Sequence, residues 1–153
     1  MADYAQFIRT RPRGLDIYEH IASPRHIAPL LERWSRTRQE HFIVVTLNGA
    51  YEPVHVYCAT KGLATRTCVS PREVFWYAIR DNASAVVVAH NHPSGRVEPS
   101  PEDIDITRRL SEAGEVLGIP VIDHLVFGRE RGTRALVWHS MVEHGEYPVP
   151  GSD

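Results

Sequence analysis

Apolar residues recur at helical spacing in three stretches of the chain, and each stretch follows a Ser-Pro pair. Serine is a preferred helix N-cap and proline fits the first helical position, so the pairs predict three helix starts. The pairs are Ser23-Pro24, Ser70-Pro71 and Ser100-Pro101. The apolar positions predicted to face inward are Ile27, Leu30, Leu31 and Trp34, then Val74, Phe75 and Ala78, and finally Ile106, Leu110, Ala113 and Leu117. Gly118 and Pro120 are predicted to end the third helix.

Shorter apolar runs between these helices predict β-strands. Residues 41–47 form the first strand, which ends at an Asn48-Gly49 turn. In the next strand Val54, Val56 and Cys58 alternate with His55 and Tyr57, a pattern typical of a half-buried strand. The other predicted strands cover residues 63–69, 84–89, 121–127 and 135–138. This order of elements predicts an α/β fold in which helices pack against the faces of a mixed sheet.

The length of 153 residues suits one domain with its own core. We expect that domain at residues 23–145, after an N-terminal arm at residues 1–22 and before a disordered tail at residues 146–153. The chain has no run of about 18 apolar residues and no signal-peptide pattern, so we expect neither a membrane span nor a membrane partner. Cys58 and Cys68 can face each other across a hairpin, but two buried thiols in a reducing cytoplasm are the favoured interpretation.

The formal net charge of −2 argues against a large nucleic-acid-binding surface. The basic residues are nearly all arginine, with Lys61 as the only lysine. Two local clusters consist of Arg9, Arg11 and Arg13, and of Arg129, Arg131 and Arg134. Either cluster can touch phosphate, although solvated loop charges are the favoured interpretation.

The candidate chemistry lies in the stretch His90-Asn91-His92-Pro93-Ser94-Gly95, which follows the predicted strand at residues 84–89. Two histidines two positions apart on an extended chain point to the same side, so both imidazoles can reach one cation. Asp103, about 11 residues after His92, can supply a third ligand once the intervening loop folds back. Two histidines and one carboxylate leave a fourth zinc position open to water, the pattern of a catalytic site. Such a water has its pKa lowered to about 7 and becomes a nucleophile at neutral pH.

This stretch resembles the motif of the JAMM metalloproteases, also called MPN+ or JAB. In that motif an upstream Glu precedes His-x-His, seven residues, Ser, two residues and Asp, and His90, His92, Ser100 and Asp103 match it in register. The fuller string, with Pro93-Ser94-Gly95 after the histidines, resembles the RadC branch. Flanking segments that agree are residues 38–42, 71–75, 105–107 and 123–124, so the resemblance covers roughly residues 20–145. It implies a single three-layer, cytidine-deaminase-like domain in a short form without the helical N-terminal region of many RadC proteins.

The resemblance implies zinc held by His90, His92 and Asp103, and a catalytic role for Ser100 in stabilising the oxyanion of the scissile carbonyl. Ser100 and Asp103 also match a capping box at the start of the third helix, which is a purely structural alternative. Both interpretations can hold at once, because a carboxylate has one oxygen for a metal and one for a backbone N–H.

The general base is expected to be a glutamate near the metal-bound water, and Glu40 and Glu73 compete for this role. Glu73 stands three residues after Ser70, where a capping box explains it. Glu40 lies where the first helical segment gives way to a strand, the place that the JAMM glutamate occupies. We therefore assign Glu40 as the base.

The remaining polar residues of this region have less specific interpretations. Asn91 and Ser94 are expected to shape the loop first and to contact substrate second. His124, beside Asp123, can either support a zinc ligand or be a satisfied core histidine. The other histidines are expected to be structural or exposed: His20, His26, His41, His55, His139 and His144.

The most direct functional interpretation is a zinc-dependent metallopeptidase or isopeptidase that acts on an unidentified protein or peptide. The resemblance also permits a second class, because RadC-like proteins are commonly labelled DNA repair proteins: an accessory factor that binds or processes DNA. A third class is a metal-bound scaffold without turnover. The scaffold is disfavoured, because inactive JAMM domains usually lose ligands and this chain keeps them all.

Overall fold

Three α-helices and one short 3₁₀ helix flank a five-stranded sheet in residues 20–62 and 69–151, which are the residues that this computed structural model describes. The α-helices are α1 (Pro24–Leu31), α2 (Pro71–Arg80) and α3 (Pro101–Leu117), and the 3₁₀ helix (Glu32–Arg36) directly continues α1. The strands are β1 (His41–Leu47), β2 (Pro53–Lys61), β3 (Ala85–Asn91), β4 (Val121–Arg129) and β5 (Leu136–Ser140).

The sheet is mixed, with the strand order β2-β1-β3-β4-β5. Only β3 and β4 pair in parallel, and α3 makes the connection between them. The other neighbouring strands are antiparallel. The carboxyl ends of β3 and β4 therefore meet at one edge of the sheet, beside the start of β1.

Two hydrophobic cores cover the two faces of this sheet, which makes the domain three layers deep. The first core lies under α2 and α3 and contains Phe42, Val88 and Leu110. The second core lies under α1 and the 3₁₀ helix and contains Leu31 and Phe127. This arrangement confirms the predicted α/β fold.

All seven residues of the central strand β3 are buried. Since side chains alternate between the faces of a strand, Val88 and His90 point into the first core, while Ala89 and Asn91 point toward the second. The strand thus sends its last two polar side chains to opposite faces of the sheet. This alternation positions the candidate site on the α2–α3 face.

The predicted helix starts at all three Ser-Pro pairs are confirmed, and Gly118 ends α3 in the left-handed conformation at φ 70°. Three predictions of which side chains face inward fail. Leu117, the last residue of α3, is 43% exposed. Val54, predicted on the buried side of β2, is 44% exposed. Tyr57, predicted to alternate on a half-buried strand, is buried in the first core, where its hydroxyl donates to the carbonyl of Val74. Helices cover both faces of the sheet, so a simple inside–outside alternation does not apply to β2.

Several predictions fall wholly or partly on residues 1–19, 63–68 and 152–153, outside the described part of the chain. They concern most of the N-terminal arm with its arginines, most of the strand at residues 63–69, and Cys68 with its contact to Cys58. In the segment predicted as a tail, Tyr147 packs against the first core and its hydroxyl donates to the carbonyl oxygen of Val121 at 2.5 Å. Within residues 20–62 and 69–151, no helix is long and apolar enough to cross a membrane.

The contrast between two leucines of α3 tests this packing. Leu110 is fully buried in the first core, so Leu110→Ala should lower the free energy of unfolding by about 2–5 kcal/mol. Leu117→Ala, on the same helix, should cost less than about 1 kcal/mol because that side chain is already partly in water. Urea unfolding of both variants provides the comparison, and equal losses would contradict the facing of α3.

Candidate metal centre

The structure brings His90, His92 and Asp103 together where β3 ends and α3 begins. The Nε2 atoms of the two histidines are 2.9 Å apart. The Asp103 carboxylate lies across from both, with Oδ1 at 3.1 Å from His90 Nε2 and Oδ2 at 3.4 Å from His92 Nε2. One donor atom from each residue thus converges on a common point, and together they form a group that can bind a metal.

The site is closed on most sides. The side chains of His90 and Asp103 are 1% and 0% exposed, and only His92, at 14%, reaches solvent. The ring of Phe42 lies parallel to that of His90 and forms an apolar wall. Solvent or a substrate therefore reaches the three donor atoms from the side of His92.

The carboxyl group of Asp103 is ionised in this environment. Burial raises the pKa of this carboxyl, but the adjacent imidazoles of His90 and His92 and the N–H of Ser100 outweigh burial and hold the pKa far below its ordinary value. The centre therefore contains a buried negative charge beside two imidazole nitrogens.

The start of α3 fixes the orientation of this carboxylate. Asp103 N–H donates to Ser100 Oγ at 3.1 Å, and Ser100 N–H donates to Asp103 Oδ2 at 2.8 Å, which is a complete capping box. The cap thus orients one carboxylate oxygen, while Oδ1 faces His90. The helix cap and the candidate ligand are the same side chain, as the two oxygens of a carboxylate allow.

The tautomer of His92 follows from the partner of its other nitrogen. His92 Nδ1 lies 2.6 Å from the carbonyl oxygen of Arg96. A carbonyl oxygen only accepts, so Nδ1 carries the proton. In the neutral form with its proton on Nδ1, His92 presents a lone pair on Nε2 toward His90 and Asp103.

A longer chain of hydrogen bonds sets the tautomer of His90. The Thr107 hydroxyl has one proton, which it donates to the backbone oxygen of Asp103 at 2.6 Å. Toward His124 Nδ1, 2.5 Å away, the same hydroxyl must accept, so His124 is protonated at Nδ1. In its neutral form His124 then accepts at Nε2 from His90 Nδ1, at 2.7 Å. His90 is consequently left with its lone pair on Nε2, aimed at the centre.

This donor set fits a metal ion. Two imidazole lone pairs and an ionised carboxylate face one another at 2.9–3.4 Å in a buried space, and they repel unless a cation lies between them. Ligands about 2.0–2.1 Å from a tetrahedral zinc ion are separated by roughly 3.3 Å, close to these distances. Nitrogen and oxygen donors of this kind suit zinc, and imidazole also suits copper, iron and nickel.

Glu40 lies next to this centre in the strand register. It precedes β1, in which Phe42 pairs with His90, and its carbonyl oxygen accepts from Gly62 N–H at 2.7 Å. Continuing the antiparallel register two residues places position 40 opposite position 92, on the same face as Phe42. The residue is half-buried. Its role as general base stays a prediction.

Glu73 lies at the start of α2. The Ser70 N–H donates to Glu73 Oε2 at 3.4 Å, the contact expected when a glutamate at this position caps a helix. This contact gives Glu73 a structural role and favours Glu40 in the comparison of the two glutamates.

Asn91 joins the segment that carries Glu40 to β3, the strand that ends beside the candidate metal centre. Its side-chain oxygen accepts from His41 N–H at 2.6 Å, and its amide nitrogen donates to the carbonyl of Gln39 at 2.9 Å and to the Thr37 hydroxyl at 3.2 Å. A buried amide directly after His90 was the sequence signal for such a tether, but its partners are about 50 residues away in the chain.

The loop after His92 is packed closely on β4. His92 N–H donates to the carbonyl oxygen of Phe127 at 2.8 Å. A Cβ atom on Gly128 would lie 2.8 Å from the carbonyl oxygen of His92, and one on Gly95 would lie 2.4 Å from that of Arg129. Both glycines thus permit a backbone approach that positions His92.

Sequence reasoning did not assign a role to Thr107, and it left His124 open between two interpretations. The available signal was the spacing of Asp103 and Thr107, which places a second polar side chain one turn further along the buried face of α3. The structure shows that His124 is completely buried and bonded to His90.

Comparison with known proteins adds a family match. A family model described as "RadC-like JAB domain" matches residues 21–145. A UPF0758 protein of Methanospirillum hungatei is 50% identical over 115 residues, which are 74% of this chain and 51% of that protein. A UPF0758 protein of Rubrobacter xylanophilus is 45% identical over 126 residues, 82% of this chain and 52% of that protein. The chain thus spans about half the length of the curated relatives it matches, and their names state no activity.

The chain of hydrogen bonds from Thr107 to His90 predicts an effect on metal affinity. Thr107→Val keeps the shape of the side chain but removes the hydroxyl that fixes the tautomer of His124, so zinc affinity should fall about 10- to 100-fold. Thr107→Ser restores the hydroxyl and should bind zinc nearly as the native protein does. Competition with a chromogenic chelator measures the affinity, and ¹⁵N NMR of the imidazoles reports the tautomers. Equal affinity in the valine and serine variants would show that the hydroxyl has no part in metal binding.

Proposed function

The chain belongs to the RadC-like JAB domain family, and on this basis we propose that it is a zinc-dependent hydrolase that cleaves amide or isopeptide bonds. The observation that supports the proposal best is the convergence of His90, His92 and Asp103 beside the strand end that carries Glu40. Two histidines and one carboxylate leave coordination positions open, which distinguishes a catalytic from a purely structural zinc site.

The chain supplies the parts that such a reaction needs. Zinc held by the three side chains would acidify a water molecule and polarise the scissile carbonyl. Glu40 accepts the proton of the attacking water and passes it to the leaving amine. The pairing of Phe42 with His90, continued two residues beyond the end of the ladder, would bring Glu40 opposite His92, and this supports its role as the base.

Ser100 is suited to stabilise the developing oxyanion. Its Oγ accepts the N–H of Asp103, and this contact leaves the hydroxyl proton available for donation. The residue is half-exposed and precedes the ligand Asp103 by one helical turn. A hydroxyl held by the backbone in this way needs little reorganisation when the negative charge forms on the carbonyl oxygen.

The substrate in this proposal is a protein or a peptide, and the setting is a reducing cytoplasm. Burial raises the pKa of the Cys58 thiol to about 11, so this thiol stays protonated and unreactive at neutral pH.

The alternative of a DNA repair-associated accessory factor is the less favoured hypothesis, because the net charge is −2 and the metal group does not require DNA.

The first test of this proposal is the metal content. The purified protein should contain about one zinc ion per chain, bound by nitrogen and oxygen donors. The double variant His90→Ala/His92→Ala should lose this zinc, as measured by plasma emission spectroscopy. The cobalt-substituted protein should lack thiolate charge-transfer bands in its absorption spectrum. Zinc retained in the double variant, or thiolate bands, would place the metal elsewhere.

The second test separates the general base from the helix cap. Glu40→Gln keeps the shape of the side chain but cannot accept a proton, so turnover should fall by about 10²- to 10⁴-fold while zinc stays bound. Glu73→Gln is the matched control, because glutamine also serves in a capping box and should change the rate little. Single-turnover rates on peptides found by comparing cleavage products of native and Glu40→Gln protein provide the measurement. Normal turnover in Glu40→Gln with zinc bound would reverse the assignment.

A further inference from the structure

A polar cavity lies beside the loop at residues 93–96, which follows His92 and is here called the metal loop. It lies on the face of the sheet opposite the candidate metal centre. It has a volume of about 580 Å³. We call it the arginine pocket, because its wall contains Arg36, Arg38, Arg129, Arg131 and Arg134. Pro93 and Ser94 of the metal loop form another part of the wall.

The charges in this pocket are unbalanced, although the chain as a whole has a net charge of −2. Among the described residues of the wall, Glu130 is the only acidic one. Two of the arginines already have partners: Arg36 and Arg129 both pair with Glu32, each at 3.1 Å. Three have no ion-pair partner among the described residues, namely Arg38, Arg131 and Arg134.

Arg129 holds the pocket in shape and is not itself available to a ligand. Its guanidinium donates to the Ser35 hydroxyl at 2.9 Å, to the carbonyl oxygen of Arg134 at 3.0 Å and to Glu32. These contacts join the 3₁₀ helix to the loop between β4 and β5. The loop that presents Arg131 and Arg134 is therefore anchored at its base.

The backbone of this loop is also fixed. Glu130 N–H donates to the carbonyl of Ala135 at 2.9 Å, and Arg134 N–H donates to the carbonyl of Glu130 at 3.0 Å. Arg134 has φ 60°, a left-handed conformation that a residue with a side chain rarely adopts. Strained backbone of this kind is concentrated at functional sites, since the surrounding structure must stabilise it.

The arginine pocket adjoins the metal centre along two chain segments. Ser94 follows the ligand His92 by two residues, and Arg38 precedes Glu40 by two residues. Two residues of extended chain span at most roughly 7 Å, so Ser94 and Arg38 each lie within about that Cα distance of a residue of the candidate site. Of the three candidate ligands His92 is the most exposed, at 14%, and the chain continues from it through Pro93 to Ser94.

We propose that the arginine pocket binds acidic side chains of the polypeptide substrate, a few residues from the scissile bond. This inference rests on the proposed hydrolase function. The planar guanidinium of arginine matches a carboxylate with two parallel hydrogen bonds, and three arginines of the pocket wall have no ion-pair partner among the described residues. The pocket contributes specificity for acidic sequences and takes no part in bond cleavage.

An acidic peptide fits this pocket better than a nucleic acid does. Glu130 lowers the net positive charge of the wall, which suits one or two carboxylates better than a row of phosphates. The positive charge is confined to one concave cavity, and a nucleic-acid surface requires a basic stripe along several phosphates.

Fluorescence anisotropy with two labelled decapeptides tests the proposal. One peptide contains a run of Glu and Asp, and the other has Gln and Asn at the same positions. Binding is measured in zinc-loaded Glu40→Gln protein, so that neither peptide is consumed. The acidic peptide should bind at least tenfold more tightly than the neutral one, and its affinity should fall as salt is added.

Two triple variants locate the binding site. Arg38→Gln/Arg131→Gln/Arg134→Gln should reduce the affinity for the acidic peptide to that for the neutral peptide, while Arg129 remains to hold the loop. The matched control, Arg25→Gln/Arg72→Gln/Arg109→Gln, removes the same charge from exposed positions on α1, α2 and α3 and should bind nearly as the parent does. Thermal melting of both variants establishes that each is folded.

Three outcomes would overturn the proposal: equal affinity for the two peptides, equal affinity in the pocket and control variants, or a single-stranded oligonucleotide that binds the pocket more tightly than the acidic peptide. Binding is read without turnover, so its failure leaves the hydrolase proposal in place. Conversely, a protein that binds the acidic peptide but holds no zinc would contradict the hydrolase proposal and leave the proposed role of the arginine pocket in place.

Discussion

The mutual repulsion of three buried electron-rich atoms is the constraint on which this structure depends. His90 Nε2, His92 Nε2 and the Asp103 carboxylate lie within hydrogen-bond distance of one another, and only a cation makes that arrangement favourable. Their other polar atoms already have partners, which fix the direction of each lone pair. Thr107 and His124 do this for His90, and Arg96 does it for His92. The fold thus holds a metal-binding geometry by hydrogen bonds that do not involve the metal.

The mixed topology of the sheet explains why these atoms meet. A parallel β3–β4 pair requires a long crossover, and α3 returns along the first core with its N-terminus beside the end of β3. The antiparallel neighbour β1 begins at that same edge and so brings Glu40 to it. The start of α3 therefore contributes Asp103, the end of β3 contributes His90 and is followed by His92, and the segment before β1 contributes Glu40. Gly95 and Gly128 then allow the connecting loop to lie directly on β4.

The fold was largely predictable because its signals are local. Each Ser-Pro pair marks a helix start within one residue, and the apolar run before His90 specifies a buried strand. The convergence of His90, His92 and Asp103 was predictable as well, since the two histidines are close neighbours in the chain and Asp103 follows soon after. The supporting contacts were not, because they join distant parts of the chain. His124 is 34 residues from His90, and Asn91 is 50 residues from His41. Tyr57 was misjudged for a related reason: the helix that buries it comes later in the sequence.

The net charge has a similar limit as a predictor, because it is an average over the whole sequence. A net charge of −2 argues against a broad basic surface, but it contains no information about which charges the fold brings together. Arg36 and Arg38 lie before β1, and Arg131 and Arg134 lie after β4, more than 90 residues later in the chain. The 3₁₀ helix and the β4–β5 loop bring these groups to one cavity, with Arg129 bonded to both. An overall acidic protein therefore has a local site for anions. That site adjoins a metal-binding group whose own charge is negative, so the same edge of the sheet presents a different charge on each face.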